Sequence, residues 1–259
     1  MKLGAQLYSV RDLTQTAEGL DMVFSKMKEI GYDIAQLSAI GPIDSGIIRE
    51  IVAKYNMPVT CTHSAFDRIV NDTDALIRDH ITYGCPTIGI GSMPEKFRGS
   101  YEGVREFVKI MREPMKKIED AGLFFAYHNH HFEFNAPEGG DYYDVLIEEA
   151  PTMNFILDTF WFVYANRDPM KYIRDLGYAR VKNVHFKDMK EYHTMLEPNA
   201  LKHELICPCG TGIIQFKPII TLCDELGIVN ALVEQDNAPA TGDSIGQMHI
   251  SHDNLRPLF

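Results

Sequence analysis

Four short stretches of this 259-residue chain combine histidines with carboxylates, and they occupy residues 127–134, 157–158, 184–188 and 233–236. Each stretch lies at or just beyond the end of an apolar run of strand length. In a parallel sheet the carboxyl ends of the strands converge, so side chains far apart in the sequence meet at one place. Carboxylates and imidazoles gathered in this way are typical ligands of a divalent metal. The pattern therefore predicts a metal-dependent enzyme.

Three of the candidate ligands are the last residues of such runs. Asp158, His185 and Glu234 each follow a series of apolar side chains. An aspartate at a strand end is often a helix cap, and a single histidine is often a core residue. A glutamate that closes an apolar strand, however, is costly to bury without a partner. Because the three side chains each end one of three successive predicted strands, we interpret them as metal ligands.

A denser group of polar side chains follows the fifth predicted strand. His128 ends that strand, His130 has the same parity along the chain, and Glu133 follows in the loop. Alternation along a strand directs His128 and His130 to the same side of the sheet. A surface cluster of histidines is the alternative interpretation. Beside a metal, neutral imidazoles can act as general base and general acid near neutral pH.

The segments that must position these residues alternate between apolar runs of strand length and amphipathic stretches of helical period. The predicted strands are residues 3–8, 33–37, 58–62, 87–90, 123–128, 154–158, 181–185 and 230–234. The predicted helices are residues 20–30, 43–55, 73–83, 101–121, 142–150, 169–176 and 216–226. This alternation is typical of a parallel sheet covered by helices.

Eight strands separated by helices predict one (β/α)8 barrel, or TIM barrel, that forms a single domain over residues 1–259. An open doubly wound sheet is the alternative. The turn at residues 8–12 reads Tyr-Ser-Val-Arg-Asp, however, and lacks the Gly-x-Gly-x-x-Gly pattern of dinucleotide-binding sheets. The longest stretch without a clear pattern, residues 189–215, would follow the seventh strand, and we expect it to be functional.

Composition excludes several other classes of protein. The net charge of −11 repels a phosphate backbone, so we expect no nucleic-acid partner. The chain begins directly with a strand-like run and has no apolar stretch of membrane-spanning length, so we expect neither a targeting signal nor a membrane partner. Five scattered cysteines, including Cys207 and Cys209, fit ordinary thiols in a reducing compartment, which predicts a cytoplasmic protein. Whether the chain forms a homo-oligomer stays open.

The motifs at the strand ends resemble those of a known family. The segments His-Asn-His-His-Phe-Glu-Phe at 128–134, Leu-Asp-Thr-Phe-Trp at 157–161, His-Phe-Lys-Asp-Met at 185–189 and Val-Glu-Gln-Asp at 233–236 are similar to the sugar phosphate isomerase/epimerase family. That family belongs to the xylose isomerase-like TIM barrel superfamily, which also includes inosose dehydratases, tagatose epimerases and endonuclease IV. The similarity extends over the whole chain.

The resemblance implies a divalent metal, usually Mn²⁺ with Mg²⁺, Co²⁺ or Zn²⁺ as alternatives, held by Glu, Asp, His and Glu. Asp158, His185 and Glu234 match the second, third and fourth of these ligands. Many relatives have a glutamate at the end of strand five, where this chain has His128. We expect Glu133 to reach back as the first ligand, with His128 as the alternative.

The resemblance also implies a small-molecule sugar substrate and the residues that bind it. Gln6, His63, Trp161 and Lys187 fall where relatives contact substrate, and we expect His128 to join them. For His63, an ordinary surface histidine at a strand end is the alternative interpretation.

The expected reaction is proton transfer next to a carbonyl group of a sugar or keto-sugar through an enediolate, with the metal as Lewis acid. His130, Glu133 or Glu234 removes the proton, and Lys187 neutralises the anionic oxygen. Return of the proton gives isomerisation or epimerisation, whereas loss of a leaving group gives a dehydratase or lyase acting on an inosose or 3-keto-glycoside. A barrel that binds a sugar without catalysis is a further alternative. Phosphodiester hydrolysis is disfavoured by the negative net charge.

Overall fold

Eight parallel strands close into a barrel in the computed structural model, which describes residues 1–136, 140–192 and 203–259. The strands in chain order are β1 (Lys2–Gln6), β2 (Ile34–Ser38), β3 (Val59–His63), β4 (Thr87–Ile90), β5 (Phe124–His128), β6 (Asn154–Asp158), β7 (Val181–Phe186), β8 (Asp188–Met189), β9 (Ile206–Cys207) and β10 (Asn230–Val233). β1 to β7 follow one another round the barrel, and β10 pairs with both β7 and β1 and closes it. The expected (β/α)8 TIM barrel is confirmed, and the single-domain organisation stays a prediction.

Helices connect the strands and cover the outside of the barrel. Those of the described residues are α1 (Ala17–Ile30), α2 (Ser45–Tyr55), α3 (Phe66–Asn71), α4 (Thr73–Tyr83), α5 (Tyr101–Asp120), α6 (Tyr142–Glu149), α7 (Thr159–Tyr164), α8 (Pro169–Arg180), α9 (Phe216–Glu225) and α10 (Ser244–Leu255). The sequence pattern did not predict α3, α7 or α10. α7 is short and nearly all buried, so it lacks the polar stripe that reveals helical period. In the described part of the chain, no helix has the length and apolar character needed to cross a membrane.

Apolar side chains fill the middle of the barrel. One buried cluster inside it consists of Ile34, Cys61, Ala126, Ile156 and Leu232. β1 lies so close to this cluster that a Cβ on Gly4 would stand 2.5 Å from an Ile34 carbon and 2.6 Å from a Leu232 carbon. A much larger cluster packs the outer faces of the strands against the helices. The barrel is therefore a packed core, which leaves the polar residues at the carboxyl ends of its strands to form a site.

The segment after β7 begins with an antiparallel pair of short strands, β8 and β9. The Asp188 carboxylate accepts hydrogen bonds from the backbone N–H groups of Gly210 and Gly212, each at 2.9 Å, and so fixes the turn between β9 and α9. All five cysteines of the chain are buried and unpaired. Of the loop predicted at 189–215, residues 193–202 lie outside the described residues.

A buried histidine of α4 that packs against β3 makes the stability of the fold depend on pH. His80 Nε2 lies 2.8 Å from Thr62 Oγ1, and its Nδ1 lies 2.8 Å from the Leu76 carbonyl oxygen. Burial lowers the pKa of His80 from 6.5 to about 4. The folded chain resists protonation of this ring. The contribution of His80 to the free energy of unfolding is therefore fully present above about pH 6.5, and it is lost as the pH decreases toward 4.

We expect His80→Gln to remove on the order of 3 kcal/mol of this acid-induced loss of unfolding free energy. Glutamine can keep one hydrogen bond of the ring but cannot take up a proton. Urea denaturation of both proteins across this pH range measures the difference. Equal slopes of unfolding free energy against pH in the two proteins would contradict the conclusion that His80 causes this loss of stability.

Candidate metal centre and substrate cavity

Four buried side chains from four strand ends converge at the carboxyl end of the barrel. His128 ends β5, Asp158 ends β6, His185 lies near the end of β7, and Glu234 follows β10. One nitrogen or oxygen atom of each lies within 4.8 Å of the corresponding atoms of the other three. We refer to these four residues as the ligand cluster. Two imidazole nitrogens and two carboxylate oxygens form a donor set that could hold a divalent metal.

Distances within the ligand cluster place nitrogen and oxygen donors alternately around one point. His185 Nδ1 lies 2.8 Å from Glu234 Oε2 and 3.9 Å from Asp158 Oδ2. His128 Nε2 lies 3.3 Å from Asp158 Oδ2 and 3.8 Å from Glu234 Oε2. Each imidazole nitrogen thus faces both carboxylates, which is the arrangement that a shared cation favours.

Neighbouring groups orient the two imidazoles of the ligand cluster. His128 Nδ1 lies 3.1 Å from the Gly91 carbonyl oxygen, and His185 Nε2 lies 2.7 Å from Gln36 Oε1. In the tautomer that donates to its carbonyl oxygen, each ring presents the lone pair of its other nitrogen to the cluster. This is the tautomer that a metal ligand requires.

The two carboxylates are held in a similar way. Glu234 Oε1 accepts a hydrogen bond from Gln6 Nε2 at 3.0 Å, and Asp158 Oδ1 accepts one from the Trp161 backbone N–H at 3.1 Å. The other oxygen of each carboxylate faces the cluster. Every member of the ligand cluster therefore has an outer partner that fixes its orientation, as ligands of metal sites commonly do.

Lys187 is the cation beside the ligand cluster. Its Nζ lies 3.2 Å from Asp158 Oδ2, 3.2 Å from Glu234 Oε2 and 3.0 Å from Asp236 Oδ1. Burial lowers the pKa of Lys187, but the three carboxylates raise it by more, so the side chain stays positively charged. Three buried carboxylates and one ammonium leave an excess of two negative charges when all are ionised, which is unfavourable in a buried site. A divalent cation would neutralise that excess.

Glu133, the expected first metal ligand, lies outside the ligand cluster. Its Oε1 accepts a hydrogen bond from the Tyr127 hydroxyl at 2.5 Å, and its Oε2 accepts one from the His130 backbone N–H at 2.9 Å. The chain turns into a short 3-10 helix after His131, and both carboxylate oxygens are occupied there. Burial raises the pKa of Glu133 to about 7. The geometry thus gives the first position of the cluster to His128, the alternative.

A cavity of about 530 Å³ lies over the ligand cluster. His128 and Lys187 line it next to the cluster, and Phe132 and Trp161 line it farther out. The ring of His130 stacks on Phe132 with a centroid distance of 5.5 Å and an angle of 14°, and it lies 5.0 Å from the Trp161 ring. Aromatic rings arranged in this way offer flat apolar surfaces with polar edges. Such a wall suits the face of a sugar ring.

Four ring nitrogens of residues that line this cavity have no hydrogen-bond partner among the described residues. They are His63 Nε2, His130 Nδ1, His131 Nδ1 and Trp161 Nε1, and all are buried. Burying such atoms without a partner is unfavourable, and a ligand with several hydroxyl groups would satisfy them. Burial lowers the pKa of His63 and of His130, so both rings are neutral and can donate or accept. The sequence-predicted residues His63, His130, Trp161 and Lys187 therefore share one cavity.

Gln6 is not among the described residues that line the cavity, and its contact with substrate stays a prediction. The side chain is fully buried where β1 ends. Its Nε2 donates to Glu234, and its Oε1 accepts the backbone N–H of Tyr8 at 2.9 Å. Gln6 therefore positions Glu234 and begins the 3-10 helix that follows β1.

Three residues at the site were not predicted from the sequence: Gln36, Arg98 and Asp236. Gln36 is a polar residue within the buried strand β2, and that departure from an apolar run was an available signal. Asp236 has the same parity as Glu234, so the alternation already applied to His128 and His130 would have included it. Arg98 lies in the segment after β4, where no period applies, and its guanidinium packs 4.1 Å from the Phe132 ring centroid.

No model of a known protein family and no curated protein sequence matches the chain, whereas solved structures do. A sugar phosphate isomerase/epimerase from Parabacteroides distasonis matches with a TM-score of 0.77 and 20% identity, over 99% of this chain and 98% of that one. The IolI protein with a zinc atom matches with a TM-score of 0.76 and 13% identity, over 100% and 98%. A probable 3-DHS dehydratase, AsbF from Bacillus anthracis, matches with a TM-score of 0.72 and 14% identity, over 96% and 98%.

The relatives in structure are sugar phosphate isomerase/epimerase and xylose isomerase-like proteins, as the sequence motifs predicted. The likeness extends over nearly the full length of both chains. At 20% identity or less it establishes a shared fold, the xylose isomerase-like TIM barrel. What the site does must be argued from its own residues.

Proposed function

We propose that the chain is a divalent-metal-dependent isomerase or epimerase of a sugar or keto-sugar, which transfers a proton next to a carbonyl group through an enediolate. The observation that carries this proposal is the ligand cluster, in which two imidazoles and two carboxylates aim at one point beneath a cavity with unpartnered polar atoms. A structural relative that is described as a sugar phosphate isomerase/epimerase supports it.

The donor set of the cluster fits a divalent transition metal. His128, Asp158, His185 and Glu234 would hold the ion, which we propose to be Mn²⁺. Imidazole and carboxylate ligands also suit Zn²⁺, and the IolI structure is described with a zinc atom. When bound, the ion supplies Lewis-acid chemistry to a carbonyl or hydroxyl oxygen of the substrate.

His130 is the residue that we expect to take the proton from the substrate and return it. It lines the cavity, its Nδ1 has no protein partner, and Glu133 fixes its backbone through the hydrogen bond at 2.9 Å. Glu234 is the second candidate base. Lys187 places a positive charge beside the oxygen that becomes anionic, and Trp161 packs against the sugar ring.

A dehydratase or lyase acting on an inosose or a 3-keto-glycoside is the second candidate function. The relative described as a probable dehydratase favours it. Both reactions begin with removal of the same proton by the same residues. They differ in the next step, because the enediolate either takes back a proton or expels a leaving group from the neighbouring carbon.

Deuterium exchange tests the common first step. We expect deuterium from D₂O to enter the carbon next to the carbonyl when the Mn²⁺-loaded protein is incubated with ketoses, inosose and 3-keto-glucosides, because His130 exchanges its proton with solvent. NMR of the recovered sugars measures the exchange. Glu234→Gln should abolish it, whereas His249→Gln, at a histidine of α10 whose side chain is 57% exposed, should leave it unchanged.

A sugar-binding barrel without catalysis would behave differently in the same experiment. It would bind these sugars and gain thermal stability, but no deuterium would enter them. With metal bound, the absence of exchange and of product across the whole panel would contradict the proposed enzyme. An elimination product would favour the dehydratase or lyase over the isomerase.

A further inference from the structure

A second cavity, of about 490 Å³, adjoins the substrate cavity on the side of β2 and β3. The residues that line both cavities form a ridge between them, and they are Ser38, Ala39, His63, Ser64 and Ala65. Most of these side chains are small, and Ala39 and Ala65 are exposed. A ligand seated in the substrate cavity can therefore extend across the ridge into the second cavity.

Somewhat more than half of the surface that lines the second cavity is apolar. Ile43, Ile48 and Leu76 contribute to it. Among the described lining residues, Arg68 and Asp79 form an ion pair with each other, and burial lowers the pKa of His63 and of His80, so both imidazoles are uncharged. The cavity therefore offers little to a charged group and favours an uncharged apolar one, which is the usual character of a small-molecule pocket.

Backbone contacts hold the wall between the two cavities in place. Ala39 has a φ of 53°, which is uncommon for a residue other than glycine, and its carbonyl oxygen accepts a hydrogen bond from Gln15 Nε2 at 2.8 Å. The Gly41 N–H donates to the Thr14 carbonyl oxygen at 3.0 Å, and a Cβ on Gly41 would lie only 1.9 Å from the Gln15 carbonyl oxygen. The cavity is thus preformed, and sparsely populated backbone of this kind concentrates at functional sites.

We propose that the second cavity binds an apolar substituent of the sugar, so that the substrate is a substituted sugar such as an aryl glycoside rather than a free sugar. The inference rests on the proposed sugar function and narrows its substrate class. The sugar ring lies against Trp161 over the ligand cluster, and the substituent crosses the ridge between Ala39 and Ala65. Transfer of an aromatic ring from water into such a cavity should raise the affinity for the substituted sugar by about tenfold or more.

Calorimetric titration of the Mn²⁺-loaded protein with phenyl β-D-glucopyranoside and methyl β-D-glucopyranoside tests the proposal. These probes share the sugar ring and differ in the apolar substituent. We expect the wild-type protein to bind the phenyl glucoside about tenfold or more tightly than the methyl glucoside. Equal affinities, a preference for the methyl glucoside, or no binding of either probe would overturn the proposal.

Filling the second cavity should remove the preference. Ile43 is half-buried and lines the second cavity but not the substrate cavity. Ile43→Trp should therefore lower the affinity for the phenyl glucoside to that for the methyl glucoside. The matched control is Ile47→Trp, at a residue that is 41% exposed on α2 and should leave both affinities unchanged. If Ile43→Trp does not fold, as judged by circular dichroism, Ser45→Phe at the half-buried start of α2 fills the same cavity.

The outcomes separate this inference from the proposed function. A folded Ile43→Trp or Ser45→Phe variant that keeps the full preference for the phenyl glucoside would overturn the inference, whatever the catalytic result. Phenyl preference that is lost in these variants, without deuterium exchange in any keto-sugar, would support the second cavity and contradict the enzyme. Deuterium exchange without phenyl preference would support the enzyme and contradict the second cavity.

Discussion

Replacing Asp158 or Glu234 with alanine is expected to remove the bound divalent ion and, with it, the activity. Each substitution deletes one of four donor atoms and one of the carboxylates that balance the charge of the ion. Loss of an outer partner alone weakens metal sites by about 10–100-fold, so loss of a ligand should cost more. Elemental analysis should find about one ion per wild-type chain and little in either variant.

A matched control distinguishes ligand loss from a general effect of removing an acidic side chain. Asp120→Ala changes an aspartate at the end of α5 whose side chain is 62% exposed, and it should keep the ion. A chelator should lower the melting temperature of the wild type and of this control but not of Asp158→Ala, because a ligand stabilises only a protein that binds it. Wild-type protein without metal, and with activity that resists a chelator, would refute the metal site.

Replacing His130 with alanine is expected to lower kcat by about 10²–10⁴-fold, because a positioned general base or acid contributes that much. His130 lies outside the ligand cluster, and its ring centroid is 4.9 Å from that of His128. Metal occupancy should therefore stay near the wild-type value. Steady-state kinetics and elemental analysis of the same preparation measure the two effects separately.

The control for this substitution is His249→Ala, which removes an exposed imidazole from α10 and should change neither quantity. Loss of metal from His130→Ala would instead place His130 among the ligands. An unchanged kcat with metal retained would exclude it from proton transfer and favour Glu234 as the base. The two substitutions thus assign the roles within the cavity.

Most strand and helix positions could be predicted from the sequence, because buried strands and amphipathic helices have different periods. β4 and β6 have the predicted bounds. The first strand was predicted to extend through residues 3–8, but β1 ends at Gln6 and the chain continues as a 3-10 helix, Leu7–Leu13. Leu7 is fully buried in that 3-10 helix, so the apolar pattern continues past the end of the strand.

The sequence also determined that Asp158, His185 and Glu234 lie close together, because each of them ends a predicted strand. The carboxyl ends of parallel strands in a closed barrel meet at one end whatever the details of packing, so a polar residue at each end must contribute to one site. The presence of a cavity over these residues, lined by His130 and Trp161, follows from the same topology.

Only the tertiary structure places His128 in the ligand cluster and Glu133 outside it, because no period governs where a side chain points once the strand has ended. Glu133 lies in a short 3-10 helix whose direction depends on the hydrogen bonds from Tyr127 and from the His130 backbone. The excess of negative charge around Lys187 and the second cavity beyond Ala39 are likewise properties of side chains from separate segments. Sequence order carries no distance between such groups, and folding alone brings them within a few ångströms.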